Sequence, residues 1–205
     1  MRNKISIKPM NRFDKDISRE VAAVFVEGYE KDLAFLSNDR EKLIDAFRKQ
    51  ICRDVFFVAT IEDEIVGILA CSTNKKRAIT IDKTILRNSF GYIKGSFAYH
   101  FMEDEFNKKL DCGDDTCYIE CVATAIKSRG KGVSIELMRY VLENEAFQRY
   151  YLEVVDTNAV ALRLYKKLGF TEFKRTKESF SRMKGFKYRI YMELNVPDKQ
   201  ITIKN

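Results

Sequence analysis

Residues 119–145, IECVATAIKSRGKGVSIELMRYVLENE, join an apolar, β-prone run to a helical pattern through a basic loop that holds two glycines. The run from 117 to 124 reads as a buried strand. From 133 to 145, Leu137, Met138, Val141 and Leu142 fall on one face of a helix. Strand, short loop and helix together put the amide groups of residues 129–134 at a helix N-terminus, where free N–H groups and the helix dipole attract anions. Gly130 and Gly132 remove side chains that would keep a phosphate from the backbone, and Arg129 and Lys131 add positive charge. A pyrophosphate suits such a loop. The other reading is that the glycines only tighten a strand-to-helix turn, and an isolated G-x-G does not separate the two.

Two familiar anion loops are excluded by spacing. A P-loop needs Gly, four residues and then Gly-Lys-Ser/Thr, whereas Gly130-Lys131 is followed by Gly132 and preceded five positions back by Ala125. A G-x-G-x-x-G fingerprint starting at Gly130 needs a third glycine where Ile135 stands.

Outward from this junction the apolar period switches repeatedly between two and about 3.6, the rhythm of a mixed α/β chain. Toward the N-terminus we expect a first strand at Ile5 and Ile7, helices over 16–31 and 39–51 that each open on an Asp, and strands over 55–60 and 65–73. These last two are joined by the polar turn Glu62-Asp63-Glu64 as antiparallel neighbours. Toward the C-terminus the pattern predicts a strand over 150–155, a helix over 158–168 stopped by Gly169, and strands near 170–177 and 186–195. Residues 74–115 read as an insertion, helical from about Gly95. With no internal repeat and only Pro9 and Pro197 as prolines, one domain over 1–205 is expected.

Composition sets the class. The chain has 205 residues and 24.0 kDa, 45% of it hydrophobic and 33% charged, enough for one good core. No apolar run approaches the roughly 20 residues that cross a bilayer, and the N-terminus lacks a signal-peptide stretch, so a cytoplasmic protein is expected. Five cysteines, an odd number, make a poor disulfide framework and are expected as reduced thiols. Cys112, Cys117 and Cys121 lack a paired C-x-x-C knuckle, and no metal is expected there. A net charge of +7 and a pI of about 9.1 favour an anionic partner without choosing among nucleic acid, a phosphorylated cofactor and an acidic surface.

Arg129-Gly130-Lys131-Gly132-Val133-Ser134 resembles the R/Q-x-x-G-x-G/A signature of the GNAT family of N-acetyltransferases. A second block, LEVVDTNAVALRLYKKLGF over 152–170, resembles the family's later strand and helix. Asn158 stands seven residues before Tyr165, and Leu168-Gly169-Phe170 ends the helix. The resemblance covers 117–194 well, 1–73 in its order of elements, and leaves 74–115 unexplained. It implies a mixed α/β fold with a largely antiparallel central sheet and helices on both faces. It also implies transfer of an acetyl group from acetyl-CoA to a primary amine, with no metal. On it, Arg129, Gly130, Lys131, Gly132, Val133 and Ser134 would hold the pyrophosphate, and the backbone of Val122 and Thr124 would pair with the pantetheine arm. Ser134 departs from the signature's last Gly or Ala; its hydroxyl is small and can bond a phosphate oxygen.

The implied chemistry poses two proton problems, a protonated amine and a departing thiolate. Glu120, nine residues before Arg129, stands where some family members carry a carboxylate base. Direct proton removal from a lysine-like amine by an ordinary glutamate is uphill by about six pKa units, or roughly 8 kcal/mol. Glu120 would therefore need a raised pKa, a relaying water or a purely positioning role; the other reading is a glutamate paired with a nearby Lys or Arg. Tyr165 stands where the family often has the donor to the departing sulfur, and its alternative is a half-buried helix aromatic. Asn158 can cap its helix, bond the pantetheine arm, or do both.

Two other classes stay open. A non-catalytic acyl-CoA sensor would keep the glycine loop without needing Glu120 or Tyr165. A nucleic-acid-binding module would use Lys75-Lys76-Arg77 and Lys174-Arg175 with Phe173 and Phe180, though these charges also suit solvated turns. The acceptor amine and the oligomeric state are not legible. Glu103, Asp104, Glu105, Asp111, Asp114 and Asp115 either draw a cationic amine or form a solvated face.

Overall fold

Seven strands form one sheet in the order β1-β2-β3-β4-β5-β7-β6, in a computed structural model that describes residues 4–179, 181 and 185–196. Its left half is an antiparallel run. β1 (Ser6–Pro9) pairs β2 (Phe56–Ile61), which pairs β3 (Glu64–Ser72), which pairs β4 (Thr116–Thr124). Glu62 and Asp63 form the two-residue turn between β2 and β3, both with positive φ (50° and 63°), as a tight hairpin matched to strand twist requires. β5 (Arg149–Val155) pairs β4 in parallel, and β7 (Tyr188–Asn195) pairs both β5 and β6 (Thr171–Lys177) antiparallel. Pro197 and Phe180 lie outside the described residues.

Period-two alternation sends successive side chains of β2 and β3 to opposite faces, and both faces are covered. Phe56, Val58, Ile68 and Ala70 pack with Phe25 and Phe47 under α1 (Ser18–Gly28) and α3 (Arg40–Phe47). Phe57, Ala59, Leu69 and Cys71 pack with Leu137, Met138 and Val141 of α6 (Val133–Asn144) and with Tyr165 of α7 (Ala159–Lys167). The mixed fold with helices on both faces agrees with the expectation from sequence. Among the described residues no helix is long and apolar enough to cross a membrane.

Two stretches depart from the expected elements. The helix expected over 16–31 breaks at Tyr29 (φ −116°, ψ 22°), leaving a short α2 (Glu30–Leu33) set off from α1. The insertion holds two helices, α4 (Lys83–Phe90), capped by the Asp82 carboxylate on the Ile85 amide at 2.8 Å, and α5 (Tyr92–Phe106). Gly95 does not open α5 but lies inside it. A Cβ there would come within 2.5 Å of the Leu86 carbonyl oxygen, so the glycine is the point where α5 crosses α4.

Candidate active site

β4 and β5 pair only from Thr116↔Arg149 to Ile119↔Leu152 and then part. The cause lies in β4. Ala70 faces Glu120 and Ile68 faces Ala123, so Cys121 and Val122 stand opposite Leu69 alone, a bulge in which Cys121 takes φ 55°. A bulge bends its strand and strengthens its twist, which swings Glu120–Thr124 away from β5. The edge of β4 carrying Val122 and Thr124 therefore has no strand partner on the β5 side. Tyr118 and Tyr151 stack with ring centroids 4.7 Å apart across the last register but one and brace the point of divergence.

Past Thr124 the chain makes a 3-10 turn (Ile126–Ser128) and reaches the glycine loop. Gly130 and Gly132 have φ of 76° and 86°, in the left-handed region. A Cβ at Gly130 would meet nothing within 4 Å, so the loop presents bare backbone to open space, the cradle a pyrophosphate needs. Gly132 precedes α6 without a side-chain cap, and among the described residues the amides of Gly132, Val133, Ser134 and Ile135 have no acceptor. Gly67 makes this placement possible, since a Cβ on it would lie 2.4 Å from Val133 Cγ1, and its absence seats the first turn of α6 directly on β3.

Arg129 donates from Nε to the Thr124 carbonyl at 3.4 Å, which lays its side chain across the loop; Lys131 is exposed. Ser134 Oγ lies 2.8 Å from Thr124 Oγ1, so its hydroxyl already bridges helix to strand. Glu27 of α1 accepts from the Ile126 amide and from Arg40 (2.7 Å). Burial works to raise its pKa, but these two bonds outweigh it and hold the carboxyl below the usual range. Sequence reasoning missed Glu27, whose partner lies 99 residues away.

Glu120 is not a solitary carboxylate. Arg77 donates to it from Nη2 (3.1 Å) and Nε (3.3 Å), the Ala78 amide donates at 3.1 Å, and Ser72 donates its hydroxyl. The Arg77 and Glu120 side chains are only 11% and 12% exposed. Burial works against the Arg77 charge, but the bonds to Glu120 prevail and raise its pKa. Arg77 also donates to the carbonyls of Lys108 (2.6 Å) and Glu105 (2.9 Å), tying the end of α5 to β4. In sequence, Arg77 reads as one of three surface cations. Its neighbours are ion-paired too, Lys75 with Asp114 and Lys76 with Asp54, and Arg175 pairs Glu172.

Tyr165 projects from α7 toward this region and is 7% exposed. Burial pushes its hydroxyl up to about 12, and among the described residues that hydroxyl has no hydrogen-bond partner. Tyr29, at the break between α1 and α2, has its pKa raised well above the usual range by burial and then by Cys121, Tyr165, Glu120 and Tyr118, which marks all five as neighbours. Asn158 caps α7 by accepting from the Ala161 amide at 3.1 Å; its NH2 end is exposed. Burial likewise raises the Cys121 thiol well above its usual range. The five cysteines are all free, and among the described residues no group of three or more His, Cys, Asp or Glu is arranged to hold a metal.

On the β5 side of the splay, Arg189 of β7 pairs Glu153 of β5 and Glu178 (3.1 Å), with Glu105 of α5 at 4.0 Å. Of the six acidic residues singled out in the insertion, Glu105 faces this cluster, whereas Glu103 bonds His100 (2.9 Å) and Asp114 bonds Lys75.

The profile of the acetyltransferase (GNAT) family matches residues 22–170. An N-acetyltransferase from Staphylococcus aureus Mu50 has the same fold, with a TM-score of 0.55 at 21% identity over 93% of this chain and 100% of that one. The ribosomal-protein-S18-alanine N-acetyltransferase from Escherichia coli gives 0.57 at 13% identity over 98% and 100%. The IAA acetyltransferase from Bacillus cereus ATCC 14579 gives 0.52 at 14% over 94% and 99%. No curated protein sequence matches significantly. With the splayed strands, the glycine loop and a family profile over most of its length, this chain belongs to the GNAT family of acetyltransferases.

Proposed function

We propose that the chain is an acetyl-CoA-dependent N-acetyltransferase that passes the acetyl group directly to a primary amine. The observation that carries this reading is the unpaired edge of β4, which leads through a 3-10 turn and the glycine loop to uncapped amides at the start of α6. Acetyl-CoA supplies the activated thioester. The backbone of Val122 and Thr124 pairs with its pantetheine amides as an added strand would. The amides from Gly130 to Ser134 receive the pyrophosphate, Arg129 and Lys131 add charge, and the free NH2 of Asn158 faces the arm. Ser134 contributes its amide, since its hydroxyl is engaged by Thr124.

Tyr165 donates its hydroxyl to the departing sulfur. With its pKa near 12 against about 8.5 for an ordinary thiol, it acts as a hydrogen-bond donor and does not surrender its proton. Glu120, with donors from three residues already on its carboxylate, orients the amine or a relaying water. Direct transfer is supported by the Cys121 thiol, which burial keeps protonated, and by His100, the one histidine, which bonds Glu103 on α5. A cytoplasmic, reducing setting belongs to the same reading.

The Arg77–Glu120 pair also favours a second reading, an acyl-CoA sensor in which the carboxylate is purely structural. Free-thiol release from acetyl-CoA across polyamines, aminoglycosides, peptide α-amines and peptide lysines separates the two. We expect amine-dependent release, and we expect Gly132→Asp, which puts a carboxylate where phosphate would sit, to abolish both release and the thermal shift caused by CoA. A CoA shift without release on any amine would identify the sensor, and an unchanged shift in folded Gly132→Asp would remove the loop from the site.

A further inference from the structure

Helix α5 carries large apolar side chains on its outer face as well as on its inner one, where Met102 is buried and Tyr99 and Phe106 pack against the core. Its buried positions are Gly95, Ala98 and Met102, mostly small, while Ile93, Phe97 and Phe101 stand on the outer face, 85%, 65% and 50% exposed. An amphipathic helix places its large apolar groups inward, so this arrangement answers to something other than the core of this chain. The three side chains recur at every fourth residue and form one stripe. Phe35, just past α2, joins it with its ring 5.2 Å from that of Phe101, and the rings of Phe97 and Phe101 stack at 6.5 Å.

The stripe leads to the active site. Four residues beyond Phe101 on the same face is Glu105, whose carboxylate lies 4.0 Å from Arg189 and whose carbonyl is held by Arg77, the partner of Glu120. Around that end gather the carboxylates of Glu105, Glu120, Glu153 and Glu178 against the guanidiniums of Arg77 and Arg189. Among the described residues the carboxylates there outnumber the guanidiniums, which suits a cationic amine, and the apolar surface begins directly behind them.

Resting on the N-acetyltransferase reading above, we propose that the outer face of α5 with Phe35 is the docking surface for the acceptor, and that the acceptor is a polypeptide with apolar side chains behind a leading amine. Dimensions favour this occupant. From residue 93 to residue 105 a helix extends about 18 Å, the span of five or six residues of extended chain. Side chains four apart on a helix are about 6 Å apart along its axis, close to the repeat of alternate side chains on a strand, about 6.6 Å. A second copy of this chain fits less well. Phe35, Ile93, Phe97 and Phe101 together expose on the order of 500 Å², below the roughly 800 Å² per partner of a standard protein interface.

The test uses the full chain and two lysine-free octapeptides with free α-amines, one alternating Leu and Ser behind the amine and one of Ser and Gly only. We expect the wild type to show a KM at least tenfold lower for the Leu peptide. Ile93→Ser/Phe97→Ser, which alters only exposed positions, should bring the two KM values together while leaving the acetyl-CoA KM unchanged. Fluorescence anisotropy of a labelled Leu peptide should show the same loss of binding. Equal KM values in the wild type, or an unshifted KM and anisotropy in the variant, overturn the proposal. So does an unshifted KM accompanied by a dimer-to-monomer change in sedimentation, which would make the stripe a self-interface. If the Leu peptide binds through the stripe but no amine elicits thiol release, the docking surface stands and the acetyltransferase reading fails.

Discussion

Replacing Arg77 with Met tests the centre of the site from its structural side. The guanidinium is 11% exposed, makes two hydrogen bonds to Glu120 and holds two carbonyls at the end of α5. Met has a similar reach and no charge, so Glu120 keeps only Ser72 and the Ala78 amide, and the carbonyls of Glu105 and Lys108 lose their shared donor. Removing one partner of a buried ion pair costs about 3–5 kcal/mol, because the remaining charge stays desolvated. At roughly 2–4 °C per kcal/mol for a chain of this size, the melting temperature should fall by about 6–20 °C. Glu120→Gln added to Arg77→Met removes the stranded charge while keeping an acceptor for the Ala78 amide. The double variant should therefore be more stable than Arg77→Met alone, with a coupling of about 1–3 kcal/mol. Urea unfolding of the wild type, both single variants and the double variant closes the cycle. If Arg77→Met melts within about 2 °C of the wild type, or the two substitutions add without coupling, Glu120 does not depend on Arg77 and the account of the site is wrong.

Tyr165→Phe keeps the ring and removes a hydroxyl with no hydrogen-bond partner among the described residues, so stability should change little, while on the proposed mechanism loss of a bond to the developing thiolate lowers kcat by about 30- to 1,000-fold. Stopped-flow thiol release with a melting curve on the same preparation checks it, and a normal kcat with chemistry limiting would remove Tyr165 from the mechanism. Glu27→Gln should lower stability at pH 7 by about 1–2 kcal/mol by weakening the hold on the Ile126 amide and Arg40. The folded-state pKa of Glu27 is depressed, so its contribution is present above the unfolded value near 4.3 and is lost as pH falls through the folded value. Wild type and variant should accordingly converge in stability only once pH has fallen below the depressed folded-state value, and a difference that persists through full protonation would rule out the charge as its source.

The sheet and the loop were legible because local signals and burial agree there. β2 and β3 alternate, Gly130 and Gly132 punctuate, and α6 and α7 carry one apolar face each, so residues 119–145 and 152–170 read correctly from pattern alone. The insertion was only partly legible, because large apolar residues on both faces of α5 blur the pattern. Ile93, Phe97 and Phe101 face out while Met102 is buried and Tyr99 and Phe106 pack against the core, and Gly95, a breaker by propensity, is required where α5 crosses α4. Arg77 was hidden for another reason, as its partner is 43 residues away across that insertion, and Lys75-Lys76-Arg77 has the composition of a solvated turn. The bulge at Cys121 carries no local mark at all. A cysteine with φ 55° is held there by the pairing of β4 with β3, not by its own preference.

Charge placement around the splay bears on how the amine is handled. Each strand brings a carboxylate to the opening, Glu120 from β4 and Glu153 from β5, and each is met by an arginine, Arg77 and Arg189. Such pairing fixes side-chain geometry and fills the carboxylates' acceptor positions with donors. An α-amine, with a pKa of about 7.7–8.0, has a substantial neutral fraction near pH 7, whereas a lysine at about 10.4 has almost none. On the proposed reading, an acceptor that arrives partly neutral needs orientation more than deprotonation, and a carboxylate fixed by Arg77, Ser72 and the Ala78 amide suits that task. The same preference for a leading α-amine fits a linear chain laid along α5 from Glu105 toward Ile93. If lysine-bearing peptides of matched sequence turned over faster than α-amine peptides at pH 7, the paired carboxylates would have to be acting as bases after all.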